Sequence, residues 1–196
     1  LQVDFMKNKD LILYIHGWNS YKDARKAVLL KNEINPSKNF EVDSITLKSH
    51  PKEAIQQLSN YIEDHKVQRK VHLIGSSLGG YYATFLSEKY NLKAAMINPA
   101  VWAYKIFKND MGTNENLNTG EKYFIDDLWV QSLQDIFVES ITGKNYLVLL
   151  QTGDQTLNYK FAKKYFEGSN IIIDEGGSHS FENLELKIPE MLLHFS

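Results

Sequence analysis

The sequence contains no cysteine. That absence excludes a disulfide framework, a thiolate nucleophile and any zinc site built on sulfur. Basic excess is missing too: 22 Lys and Arg stand against 24 Asp and Glu, a formal charge of −2. A chain so balanced has no basic stripe for a phosphate backbone, so no nucleic-acid partner is expected. Long apolar runs are also absent. No stretch approaches the roughly 20 residues that cross a bilayer, and the opening LQVDFMKNKD has no apolar signal-peptide core. The expectation is a cytoplasmic chain with no transmembrane segment. Because it starts at Leu1, it is also open to being a domain of a larger protein. The 6 histidines form no H-E-x-x-H pair, and GSSLGG lacks the lysine of a phosphate-binding loop. No metal is therefore expected, and no glycine-rich phosphate loop is present.

What remains is apolar content in short pieces. With 196 residues and 43% hydrophobic content, one domain over 1–196 is expected. Apolar runs recur at 11–15, 40–47, 71–74, 94–97, 146–150 and 170–174. Several are continuously apolar, as in strands buried on both faces of a parallel sheet. Helix-period segments lie between them at 21–34, 51–65, 78–90 and 159–166, and another closes the chain at 181–195. Ser20, with Asp23 three residues on, reads as a cap for the first, and Pro51 suits the first turn of the second. The alternation predicts an α/β fold of about six mostly parallel strands with helices on both faces. His72 and His194 fall inside these elements and read as structural.

Residues 101–144 break the rhythm. They hold no convincing strand and read as a lid-like insertion over the ligand-binding edge of the sheet. Phe124, Ile125, Leu128, Trp129 and Leu133 recur at roughly helical spacing there. Phe124 and Trp129 are the candidates from this stripe for lining a substrate pocket, although the stripe could equally pack on the core.

Chemistry concentrates in VHLIGSSLGGYYATFL. Gly75 to Gly79 satisfy G-x-S-x-G between a strand and a helix, the setting of a nucleophile elbow, with Ser77 as nucleophile and Ser76 as a small turn residue. A serine hydroxyl needs a base, and the base needs an orienting carboxylate. Downstream, YLVLLQTGD ends in a turn carrying Asp154, and IIIDEGGSHSF ends in a glycine-rich loop carrying His179. Parallel strands deliver their carboxyl ends to one edge, where these residues should meet Ser77. Asp174 is a competitor for the carboxylate role, but it sits at the end of its own strand. For the oxyanion, the expected donors are the backbone N–H of Leu78, just after the nucleophile, and that of Trp18 in YIHGWNS. His16 and Gly17 of that loop are expected beside the substrate.

LYIHGWNS, IGSSLGGYYATFLSEKY, INPAV, QTGDQTLNY and EGGSHSF, in order from about Leu11 to Phe195, resemble the YqiA-like esterases, small bacterial α/β-hydrolases. The resemblance implies a compact α/β-hydrolase fold, a catalytic triad of Ser77, Asp154 and His179, a bacterial cytoplasmic setting and no cofactor. It also implies esterase activity on a small-molecule ester, with extension to thioesters. An acyl thioesterase or lipase-like acylhydrolase would use the same residues. A catalytically silent binding module on the same fold is the alternative of another class.

Overall fold

The computed structural model describes residues 8–196. The opening seven residues, part of the stretch read above for a signal-peptide core, lie outside them. In chain order the elements are β1 (Asp10–Ile15), α1 (Arg25–Ile34), β2 (Phe40–Ser44), α2 (Pro51–Lys66), β3 (Val71–Ser76), α3 (Leu78–Tyr90) and β4 (Ala94–Ile97). They continue through α4 (Ala103–Phe107), β5 (Gly112–Asn116), β6 (Glu121–Ile125), α5 (Asp127–Gln134), β7 (Tyr146–Gln151), α6 (Tyr159–Tyr165), β8 (Asn170–Asp174) and α7 (Ile188–Phe195).

Six strands form one parallel sheet in the order β2-β1-β3-β4-β7-β8. The strands that read as continuous apolar runs, β1, β3, β4 and β7, are its four inner members, buried along both faces. At the two edges the burial alternates or fades, in β2 and β8. Leu11, Leu13 and Ile15 of β1 pack with α2, α3 and α5 on one face. Ile12 and Tyr14 point the other way, into the layer under α1 and α7. The expected six-stranded α/β architecture with helices on both faces is therefore present. Among the described residues no helix is long and apolar enough to cross a membrane. His72 is buried in β3 and stacks on Phe195, their ring centroids 4.9 Å apart.

Two local expectations need correction. Helix α1 starts at Arg25, with Ala24 before it and no side-chain cap. Ser20 is used elsewhere: its N–H donates to the Gly17 carbonyl at 3.3 Å and its own carbonyl accepts from the Asn116 amide at 3.0 Å. Secondly, the 101–144 segment does contain strands. β5 and β6 pair antiparallel from Gly112↔Ile125 to Asn116↔Glu121. GTNEN carries no strand signal in its side chains because they lie on a surface ribbon, where backbone pairing rather than burial defines the strand.

The stripe across this segment is split as well. Phe124 and Ile125 belong to β6, and α5 begins only after Asp126, whose carboxylate caps it by accepting the Trp129 N–H at 2.8 Å. Ile125, Trp129 and Leu133 are fully buried, whereas Phe124 is 61% and Leu128 74% exposed. Trp129 packs on Phe107 and donates its indole N–H to the Ser49 carbonyl at 3.1 Å. Trp129→Ala should therefore lower stability by about 3–5 kcal/mol, as large core truncations do. Phe124→Ala should stay within about 0.5 kcal/mol of wild type. Denaturant titration of the two variants checks this pair; similar values would contradict the split.

Candidate active site

β3 feeds straight into α3 through a single residue, Ser77, with φ 55° and ψ −122°. A non-glycine residue at positive φ is strained and persists only when its surroundings hold it. Here the Ser77 N–H donates to the Ile97 carbonyl at 3.2 Å, and the Ser77 carbonyl accepts from Gly80 at 2.9 Å and Ala100 at 3.0 Å. The glycines make the turn possible by close approach. A Cβ on Gly75 would lie 2.7 Å from Gly80 Cα, and one on Gly80 would lie 2.6 Å from Pro99. A Cβ on Gly79 would run into the Ile15 and His16 carbonyls.

The other two expected residues converge on this hydroxyl. His179 Nε2 lies 3.1 Å from Ser77 Oγ, and His179 Nδ1 lies 2.8 Å from Asp154 Oδ2. The Asp154 side chain is 1% exposed, and its Oδ1 accepts the Thr156 and Leu157 N–H groups, each at 2.8 Å. Burial pushes this carboxyl pKa up, but the bonds from His179, Leu157 and Thr156 outweigh it and hold the pKa below the ordinary carboxylate value. A carboxylate at Nδ1 puts the ring proton there and leaves Nε2 as the acceptor facing Ser77. Asp174 is elsewhere. It pairs in register with Gln151, still inside the sheet, and binds Lys187 at 2.7 Å.

Two residues that the sequence reading passed over hold the histidine loop. Gln151, at the end of β7, accepts the Ser178 and Glu182 N–H groups through Oε1 at 3.1 and 2.9 Å. Asn98, just after β4, donates to the Ser178 and His179 carbonyls at 3.0 and 3.3 Å and accepts the Gln151 N–H at 3.0 Å. Both are buried amides. The available signal was a lone amide closing each apolar run, in AAMIN and YLVLLQ. Gly176 and Gly177 take φ 76° and 73°, which lets the loop turn back over these amides.

The loop after β1 approaches from the other side. A Cβ on Gly17 would sit 3.2 Å from Ser77 Cβ and 3.7 Å from its Oγ, so the bare backbone lies against the Ser77 side chain. His16 Nε2 accepts the Leu47 N–H at 3.1 Å, which puts the ring proton on Nδ1, where it donates to the Gly17 carbonyl at 2.9 Å. Burial lowers the pKa of this imidazole, against a smaller opposing effect of the bond to Gly17, and so favours the neutral ring. With both nitrogens committed, the His16 ring shapes this loop. Holding the Gly17 carbonyl also fixes the trans peptide it shares with Trp18 and turns the Trp18 N–H the opposite way. Among the described residues neither the Trp18 N–H nor the Leu78 N–H has an acceptor.

Residues 11–196 match the family described as uncharacterised protein family UPF0227. The chain belongs to the UPF0227 family. The YqiA-like resemblance read from the sequence leads to this same group. The UPF0227 protein YcfP of Escherichia coli O9:H4 is 25% identical over 189 residues, covering 89% of this chain and 92% of that protein. Among solved structures, Est1E from Butyrivibrio proteoclasticus with bound ferulic acid superposes with a TM-score of 0.76 at 17% identity, covering 98% of this chain and 91% of that one. Mouse alpha/beta hydrolase domain-containing protein 10 gives a TM-score of 0.74 at 14% identity, with 97% and 92% covered. A monoacylglycerol lipase of Paleococcus ferrophilus gives 0.67 at 17% identity, covering 95% of each chain. The fold of this UPF0227 chain is thus that of the α/β-hydrolases.

In this UPF0227 chain Ser77 and His179 open into a cleft of 380 Å³ whose walls include Tyr14, Gly17, Trp18, Arg25, Lys26 and Thr156. Phe124 and Trp129 are not among its walls. Phe124, expected to line the substrate pocket, stands 61% exposed on β6, and Trp129, expected there too, is buried in the core, so neither reaches this cleft. Instead the hairpin braces the loop after β1. Trp18 donates its indole N–H to Tyr123 Oη at 2.6 Å, Tyr123 donates to Asn19 Oδ1 at 2.7 Å, and Asn118 donates to the Asn19 carbonyl at 2.9 Å. The inserted segment therefore fixes the backbone beside Ser77.

Proposed function

We propose that this protein is a serine hydrolase that cleaves carboxylic esters through an acyl-enzyme intermediate. The observation that carries the reading is the continuous hydrogen-bonded line from Ser77 Oγ through His179 to buried Asp154, with the serine on a positive-φ turn between strand and helix. Likeness of fold to an esterase and a lipase supports the same class. His179 Nε2 takes the Ser77 proton as Oγ attacks the ester carbonyl carbon. Asp154 holds the ring in the required tautomer and stabilises the imidazolium that forms. The negative charge developing on the carbonyl oxygen is received by the free N–H groups of Leu78 and Trp18, the first at the positive end of the 13-residue α3. The C–O bond to the alcohol then breaks, and the alcohol leaves with the proton from His179. A water molecule, deprotonated by the same imidazole, attacks the acyl-serine and releases the acid.

An alkyl fluorophosphonate probe tests this directly, because it phosphonylates only a serine whose proton is removed and whose oxyanion is supported. The expected result is one covalent label per chain, mapped by mass spectrometry to Ser77 and absent from Ser77→Ala. A folded wild-type protein that stays unlabelled would overturn the proposal.

A further inference from the structure

The walls of the cleft beside Ser77 carry Arg25 and Lys26 but no aspartate or glutamate. This is a local excess, since the whole chain has a formal charge of −2. Among the described residues neither cation has a salt-bridge or hydrogen-bond partner, whereas Lys31 on the same helix reaches both Asp23 and Asp43. The carboxylate whose field reaches Lys26 is Asp154, and its oxygens are already taken by His179 and two backbone amides. Burial and the neighbouring Arg25 lower the Lys26 pKa, with Asp154 opposing them, so a partly buried lysine sits beside an exposed like charge at the rim of the wall. An anion between them would relieve that repulsion.

Three further features point the same way. The wall includes the start of α1, and Ala24 leaves its first-turn N–H groups without a side-chain cap. Tyr14, only 3% exposed and hydrogen-bonded to Ser76, gives the wall a rigid floor beneath them. Ser20 and Thr156 add hydroxyls that can donate to an oxyanion. A neutral apolar substrate would leave the Lys26 ammonium and the free N–H groups at the start of α1 without a partner.

We propose that the cleft selects esters that carry a negatively charged group, a carboxylate or a phosphate, close to the scissile bond, and that Arg25 and Lys26 hold that group. The proposal rests on the serine-hydrolase reading above and names its substrate class. The reaction itself is unchanged: water adds across the ester bond, and the anionic group takes no part in bond making or breaking.

The test compares kcat/KM within matched pairs, each a charged ester and its neutral twin. Monoethyl adipate against ethyl 5-carbamoylpentanoate places the charge on the acyl side. O-butyrylglycolate against O-butyrylglycolamide places a carboxylate on the alcohol side. 2-(Butyryloxy)ethyl phosphate against its dimethyl ester places a phosphate there. Wild type should prefer the charged member of at least one pair by about tenfold or more, the scale of one hydrogen bond to a charged group. Which pair responds identifies the side and the anion. In the Arg25→Gln/Lys26→Gln variant the ratio should fall towards one, and Lys26→Gln alone should lower it if the double variant melts early. The inference is overturned if neutral twins are hydrolysed at least as well as charged members in every pair, or if the preference survives both substitutions in folded protein. That result would leave the hydrolase reading intact. Absence of turnover of every ester, together with absence of fluorophosphonate labelling at Ser77, would remove both.

Discussion

Alanine at position 77 should cost on the order of 10⁶ in kcat for ester hydrolysis, the loss that accompanies removal of a triad nucleophile. The fold should survive, because the Ser77 hydroxyl has His179 as its hydrogen-bond partner and the turn is held by backbone bonds to Ile97, Gly80 and Ala100. Alanine keeps the strained φ of 55°, whereas glycine would release it. Ser77→Gly is therefore expected to be as inactive as the alanine variant and about 1 kcal/mol more stable than it. Ser76→Ala is the control. Its side chain is 3% exposed at the end of β3, one residue before the turn, and it should retain most turnover. Equal losses in folded Ser76→Ala and Ser77→Ala would mean that the wrong hydroxyl has been assigned.

The parts of this site that could be read in the sequence are those where one residue type has one physical use. Continuous apolar runs in β1, β3, β4 and β7 become inner strands because only burial on both faces tolerates them. Glycines around Ser77 mark a turn where backbones touch, and strand-end positions bring Asp154 and His179 to the same edge. The failures share a different cause. His16 reads as a residue beside the substrate, and only the folded chain shows its ring bonding Leu47 and Gly17. GTNEN has no apolar alternation, so only its partner EKYFI reveals the strand. Residues 21–34 read only as a helix-period segment, and nothing in its composition shows that Arg25 and Lys26 face the cleft while Lys31 meets acids. Partner identity is long-range information, and local periodicity does not carry it.

Asparagine at position 154 isolates that long-range information in a single atom pair. It preserves volume, and with its oxygen kept by the Thr156 and Leu157 N–H groups it presents an N–H₂ to His179 Nδ1, which favours the tautomer with the proton on Nε2. That nitrogen then cannot accept the Ser77 proton, and kcat should fall by on the order of 10⁴. Asp174→Asn should change kcat little, because Asp174 binds Lys187 at the edge strand. The two variants should also differ in acid. The Asp154 pKa is held down in the folded protein, so its bonds contribute stability that is fully present above the ordinary carboxylate value, about 4. That contribution is lost as pH falls through the lower folded pKa, because there the folded state must also take up the proton. Asp154→Asn lacks this dependence, and its stability deficit against wild type should shrink as pH drops from about 6 towards 3. Thermal melts across that range, run beside the kinetics, provide the check. A deficit that stays constant with pH, or a larger kcat loss in Asp174→Asn, would transfer the orienting role away from Asp154.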